Sequence, residues 1–409
     1  MEQRRTRKVF SFIICVAIFA VLLVVFGYAN KILFFRQAHC FEYMDGERIR
    51  YYSDMPYYIE WLNSGTKLSY TLLFDFSVFL MRFLTPNDAM AMAVLILNLL
   101  CVPALSVFFW KSIGKTENLL YKIGALGLPY VMLLVSMIWM PGGNEAYGIE
   151  FRYLGVFTPN PWHNQTSLAA RPFAIIAFIL FVKIICYYEE RIDIKDYIFF
   201  ALSLLVATMA KPSFTLVLGS AALPFLLIRL ICHRFKTIKN TLFFGLTFLP
   251  TIINLLVQFS GTFGDGSKDA DAGIGFAAFA IWSIFSKNIL LSLVLALAFP
   301  LIVLIFNLRA FVENRAYRFA WEFLLAGTLE FMFLVEKGER YWHANFAWGY
   351  MYGLFFIFLM STGLLVKNTV DKKNHVIVLC VEWLGLMLHL AAGIIYFVYL
   401  LKGGNYMRF

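Results

Sequence analysis

The sequence predicts an all-α protein, a polytopic bundle of about 11 transmembrane helices in which residues 1–409 form a single membrane domain. Three observations carry the prediction. The 409 residues are 61% hydrophobic and only 15% charged, whereas a soluble domain is nearer half apolar and a quarter charged. Apolar runs of about 20 residues, the length that crosses a bilayer, recur along the whole chain. The Lys and Arg residues gather in short connections between alternate runs, as they do on the cytoplasmic side of membrane proteins.

The runs fall at 9–28, 88–110, 119–140, 167–187, 195–210, 214–232, 240–259, 288–309, 318–335, 346–366 and 376–401. The first follows the basic start MEQRRTRK, which resembles the head of a signal peptide. It is long enough to span and no A-x-A-like site follows, so it reads as a retained helix. A twelfth stretch, 67–84, is short and carries Asp75 in its middle. If it does not cross, six basic clusters share one side: Arg4 to Lys8, Lys111 with Lys115, Arg191 with Lys195, Arg234 to Lys239, Arg309 to Arg318, and Lys367 to Lys373. Residues 67–84 then lie at the interface as an amphipathic helix. The expected location is a cell membrane, multi-pass, with the N-terminus cytoplasmic and the C-terminus extracytoplasmic. The net charge of +10 reflects this topology, so membrane lipid is expected as a partner and nucleic acid is not. The six cysteines show no CxxC or zinc spacing and imply no disulfide framework.

This topology puts four polar segments on the outer face: 29–87, 141–166, 260–287 and 337–345. Segment 29–87, the first extracytoplasmic loop, contains Tyr51-Tyr52-Ser53-Asp54-Met55-Pro56-Tyr57-Tyr58-Ile59-Glu60-Trp61. Ser53 or Asp54 can cap a helix with Pro56 in its first turn, and Tyr57, Tyr58 and Trp61 suit a headgroup belt. A carboxylate in such aromatic surroundings suits a general base, and Asp54 is the candidate. The same residues also read as a plain N-cap with an aromatic belt. The second segment ends in Thr158-Pro159-Asn160-Pro161-Trp162-His163-Asn164-Gln165-Thr166, followed by Arg171. Here His163 and Arg171 can hold a phosphate and Trp162 can stack on a sugar or lipid, or the loop is an interfacial turn with a Trp anchor. Asn164-Gln165-Thr166 also fits the N-glycosylation pattern. Lys211-Pro212 joins two apolar runs almost without a loop, and an ionisable group near membrane depth usually faces a cavity or a partner. In the last segment Arg340 and His343 are further phosphate candidates, since Arg contacts phosphate oxygens bidentately. Glu322, Glu330, Glu382 and His389 fall inside spans and are expected to pair with one another or with Lys or Arg. Nucleotide-binding, zinc-protease and hydrolase motifs have no fitting context.

A first helix, then a large outer loop with an acid and two juxtamembrane helices, resembles the GT-C superfamily of integral membrane glycosyltransferases. The resemblance covers the whole chain in organisation and a few short segments in residues. Asp54 would be the catalytic acid of that pattern, and 55–64 and 67–84 the two interfacial helices. The resemblance implies transfer of a sugar from a polyprenyl-phosphate donor to an extracytoplasmic glycan, lipid or protein acceptor of the cell envelope, with inversion. Asp54 would take the acceptor's proton. Glu60, His163, Asn164, Arg171, Lys211, Arg340 and His343 would bind substrate. Asp54 lacks an adjacent second acid, so no metal is called for, although Glu60 and Asp45 leave a divalent ion open as cofactor. A lipid-linked sugar flippase or transporter and a polysaccharide polymerase are the alternatives.

Overall fold

The computed structural model describes residues 2–44, 46–66, 70–140, 143–149, 157–263 and 273–406. Its first helix, α1 (Glu2–His39), continues eleven residues beyond the predicted end and leads into a hairpin of β1 (Phe41–Met44) and β2 (Glu47–Arg50). The hairpin turns on Gly46, whose φ of 84° favours glycine. Two short helices follow, α2 (Met55–Asn63) and α3 (Thr71–Leu80). They correspond to the interfacial pair expected at 55–64 and 67–84, with 67–69 outside the described residues.

The chain then runs through α4 (Pro86–Leu99), α5 (Cys101–Ser112), α6 (Leu119–Leu134), α7 (Gln165–Ile184), α8 (Ile194–Ala210) and α9 (Ser213–Cys232). After these come α10 (Ile238–Leu246), α11 (Leu249–Phe263), β3 (Gly273–Phe276), α12 (Trp282–Phe285), α13 (Ile289–Phe306) and α14 (Leu308–Glu313). The chain ends with α15 (Arg315–Phe333), β4 (Leu334–Lys337), α16 (Ala347–Asp371) and α17 (Val376–Leu401). Starts are set by polar caps. Thr85 accepts from the Asp88 amide with Pro86 beside it, and Asn118, Asn164, Asn288 and Asn314 cap α6, α7, α13 and α15. Each cap satisfies an amide that the helix itself leaves orphaned.

Among the described residues, seven helices are long and apolar enough to cross a membrane, or eight if the α10–α11 pair, bent by 46°, is one span. The sequence expectation of about 11 counted others as equals. Of these, α6 is apolar but has 16 residues and α8 has 17. Helix α15 has 19 but carries Arg315, Arg318, Glu322 and Glu330. Boundaries differ too. Residues 135–140, predicted as span, leave the helix. The Ser136 amide donates to the His389 carbonyl (3.1 Å) and the Ile138 amide to that of Leu295 (3.1 Å), so irregular backbone is satisfied by neighbouring helices. Predicted span 318–335 stops at Phe333, and Leu334–Lys337 pairs antiparallel with Gly273–Phe276.

Polar groups gather at the two ends of the bundle. At one end Asn87 Nδ2 donates to the Ala38 carbonyl (2.9 Å), so residues 39–87 leave and return at the same level. With about 1.5 Å of rise per residue, the ten residues of α3 do not cross. At the other end Glu189 accepts two bonds from Arg229 (2.6 Å each) and one from Arg315 (3.0 Å), with His233 3.3 Å away. The loops after α7 and α9 and before α15 are thereby tied together. Of the carboxyls inside predicted spans, Glu322 meets an arginine as expected, whereas Glu330 pairs with Ser220 (2.7 Å) and Glu382 with Asn307 (2.6 Å). Glu322 faces Arg318 at 3.5 Å and His389 meets the Ser136 carbonyl (2.7 Å).

Small residues let the helices approach closely, as in membrane bundles generally. A Cβ on Gly327 would lie 2.7 Å from the Gly349 carbonyl oxygen. One on Gly393 of α17 would overlap the Leu134 carbonyl where α6 ends. Gly393→Ala is therefore expected to destabilise the protein by more than about 2 kcal/mol through overpacking, read as a lowered thermal midpoint in detergent. Gly219→Ala, where a Cβ meets nothing within 4 Å, is the matched control and should leave the midpoint unchanged or slightly raised.

Candidate functional site

Three separate pieces of chain build one polar cluster. The first is the start of α2. Asp54 occupies the N-cap position but makes no side-chain cap bond. Ser53 Oγ does that work, accepting from the Met55 amide (3.2 Å). The Asp54 carboxylate is thus released from the capping role that the sequence also allowed. Its backbone amide donates to the His163 carbonyl (2.9 Å), which fixes α2 to the second piece.

That second piece is the turn before α7. Trp162 is fully buried against Phe397, with ring centroids 4.8 Å apart. It anchors the turn in the bundle and neither stacks on a ligand nor sits at the interface, as the sequence reading allowed. Asn164 caps α7 through its Oδ1, which accepts from the Ser167 amide (2.9 Å), from Thr166 Oγ1 (2.9 Å) and from Lys211 Nζ (3.0 Å). Its Nδ2 donates to Asp54 Oδ2 (2.6 Å) and to the Tyr58 hydroxyl (3.1 Å). Asn164 is buried and fully engaged, so the glycosylation pattern has no accessible acceptor.

The third piece is the α8–α9 turn. Proline excludes the preceding residue from helical backbone, and Lys211 before Pro212 is extended at φ −164°, ψ 128°. This turns its side chain inward, where it is 5% exposed. The ammonium lies 3.6 Å from the Trp348 ring centroid, a cation–π contact. Burial pulls its pKa down to about 7, against the opposing pull of Asp54. His163 is pushed down to about 4, chiefly by burial and further by Lys211, while Asp54 opposes the shift. His163 is therefore a neutral ring near pH 7. It stacks on Tyr406 with centroids 3.9 Å apart and planes 8° off parallel. Tyr406 in turn directs its hydroxyl at Asp54 Oδ1 (3.4 Å).

Lys211 also lines a cavity of about 370 Å³. Its lining is mixed, with Lys211, Arg340, Glu336 and Asn345 among the polar residues and Leu216, Leu256 and Phe259 among the apolar ones. Arg340 contacts Glu336 (3.2 Å), which also accepts from Asn345 (2.5 Å). Of the candidates, Asp54, His163, Asn164 and Lys211 therefore meet directly, and Arg340 joins them across this cavity. Three do not. Arg171, 2% exposed, donates to Asn160 Oδ1 (2.8 Å) and packs 5.5 Å from the Phe355 ring. Asn160 in turn bonds the Met132 and Val135 carbonyls, so Arg171 braces the end of α6. Glu60 is exposed on another face of α2, beside Asn63 and Asn87. His343 is exposed too. Asp45 lies outside the described residues. Trp348, Tyr58 and Tyr406 were not singled out as site residues. Tyr58 and Trp348 stood in aromatic-rich segments, whereas nothing near Tyr406 marked it.

The Lys211 shift predicts a pH signature. Its folded value is below its ordinary value, so between about 7 and 10.5 the unfolded chain holds a proton that the folded chain has released. Stability from this group therefore rises as pH increases through that window. Thermal midpoints of wild type and Lys211→Met between pH 6 and 9 should converge at low pH least and high pH most, with the wild type gaining relative to the variant as pH rises.

Compared with models of protein families, with curated proteins and with solved structures, the chain matches none, so its function is argued from this geometry.

Proposed function

We propose that the protein is a membrane glycosyltransferase of GT-C type that moves a sugar from a polyprenyl-phosphate donor to an extracytoplasmic hydroxyl acceptor. The observation that carries the reading is the chain Asp54–Asn164–Lys211 beside the 370 Å³ cavity. It sets a carboxylate near a chamber whose lining includes Lys211 and Arg340 as well as Leu216, Leu256 and Phe259, groups that suit a phosphate and a lipid tail beside a reacting hydroxyl.

The acceptor oxygen attacks the anomeric carbon as its proton passes to Asp54. The bond from that carbon to the phosphate oxygen breaks, and the polyprenyl phosphate leaves with the electron pair. Asn164 holds Oδ2 of Asp54, so Oδ1 is the oxygen that takes the proton. Lys211 and Arg340 face the charge that grows on the leaving phosphate, a large contribution to such catalysis. His163, neutral near pH 7, adds no charge; it supplies a flat wall. Because Lys211 titrates near 7, anion binding above that pH would be accompanied by proton uptake. In this reading the chain makes eleven passages, with α6, α8 and α15 included, the α1 start in the cytoplasm, and the Asp54 end of the bundle outside.

A lipid-linked sugar transporter is the second reading, favoured by one feature. A cavity of about 680 Å³ along α9 and α15 shares Glu330 with the Lys211 cavity and reaches Arg229 and Arg318 near the opposite end.

Asp54→Asn should lower turnover of a panel of short-chain polyprenyl-phosphate hexoses by about 10²–10⁴, the contribution of a general base, with the thermal midpoint retained. Full turnover in that variant removes Asp54 from the chemistry. Transport of intact donor, insensitive to the substitution, replaces the transferase with the second reading. Orientation is checked separately: a cysteine at exposed Ser64 should react with a membrane-impermeant maleimide in intact cells, and labelling only after lysis reverses the topology.

A further inference from the structure

The reactive side of Asp54 is covered. Oδ2 is held by Asn164 at 2.6 Å, while Oδ1 meets the Tyr406 hydroxyl at 3.4 Å. The first is a short charge-assisted bond and the second sits at the long, weak end of the range. One oxygen is thus held closely and the other is capped by a longer, weaker bond.

The cap is built. After α17 the chain turns through Lys402 and Gly403, the latter at φ 85°. The Tyr399 hydroxyl donates to the Asn405 carbonyl (3.3 Å) and accepts from the Asn405 amide (3.0 Å). A Cβ on Gly404 would overlap the Tyr399 ring, and one on Gly403 would overlap the Ile49 side chain. These contacts lay Tyr406 flat on His163, with its hydroxyl beside the carboxylate.

We infer that residues 402–406 form a displaceable cover over Asp54, with the Tyr406 ring and hydroxyl standing where an acceptor's hydroxyl-bearing ring must dock. A group that donates to Oδ1 while lying against His163 has the same two requirements as Tyr406: a flat ring face and a hydroxyl at its edge. A sugar acceptor meets both, whereas an unbranched alcohol meets one. The cover also narrows the approach of water to the carboxylate until the acceptor replaces it, which limits wasteful donor hydrolysis. In that side reaction water attacks the anomeric carbon, its proton goes to Asp54, and the polyprenyl phosphate leaves. The identity of the occupant as an acceptor rests on the transferase reading; the cover itself does not.

The test separates the two. Full-length protein in nanodiscs is treated with a water-soluble carbodiimide and glycine ethyl ester, and amidation of Asp54 is measured by peptide mass spectrometry against Glu60, exposed on the same helix. Tyr406→Ala should raise the Asp54-to-Glu60 ratio at least about threefold, as expected for loss of a local closed state. Tyr406→Phe, which keeps the ring, should stay below that rise. Gly404→Ala, which lifts the segment without altering Tyr406, should match Tyr406→Ala and serves if that variant folds poorly. A rise under threefold in both alanine variants overturns the cover. With the polyprenyl-phosphate hexose panel and no acceptor, Tyr406→Ala should release free hexose faster than wild type. Raised amidation with no hexose release from any variant supports the cover and overturns the transferase reading.

Discussion

Asn164 is the residue on which the arrangement at this end of the bundle depends. A carboxylate and an ammonium brought together out of water attract into a direct pair, and close contact offsets only part of the desolvation they suffer. Here an amide stands between them, donating on one side and accepting on the other. The same oxygen starts α7, so the cap of a helix that enters the bundle is also the spacer that keeps two charges apart. Asp54 and Lys211 are each left with a face not spent on the other. A direct ion pair would consume both.

The surroundings follow from that constraint. Trp162 has to be buried for Asn164 to stand at the helix start, and Arg171 with Asn160 braces the broken end of α6 beneath it. Pro212 forces Lys211 off the helical path. Without these three supports the amide would have neither partner within reach. Much of the polar material in the segment before α7 is therefore scaffold, and its chemistry is indirect.

Sequence made some of this legible and hid the rest for physical reasons. Composition and basic loops predicted a helical bundle with its polar segments at one end, because lipid acts on every residue of a span alike. The two short helices after the first helix were readable from length and from charge. The β1–β2 hairpin has a recognisable turn signal in the Asp-Gly pair of the sequence. Asp54, His163, Asn164 and Lys211 were legible one at a time as polar residues flanking spans. Their meeting was not, since 110 residues separate Asp54 from Asn164 and 352 separate it from Tyr406, and local pattern carries no information over such separations. Arg171 and Trp162 misled for a related reason: a buried brace and an exposed ligand group have the same composition. The charge count overstated α15 and the even apolar run overstated α6, whose end unwinds where α17 packs against it.

The glycine contacts between α15 and α16 have a mechanical consequence. With Gly327 against the Gly349 carbonyl, Gly353 against Leu324, and Val217 of α9 seated on Gly349, these helices are keyed like meshed gear teeth and have no slack to slide. Another wall of the Lys211 chamber is α11, whose Ile252, Leu256 and Phe259 face outward in large part; it follows α10 after a 46° bend and is held to α8 by the Gln258 side chain, which donates to the Thr208 carbonyl (2.8 Å). Any widening of the chamber therefore falls to α11 before it falls to the keyed α9, α15 and α16.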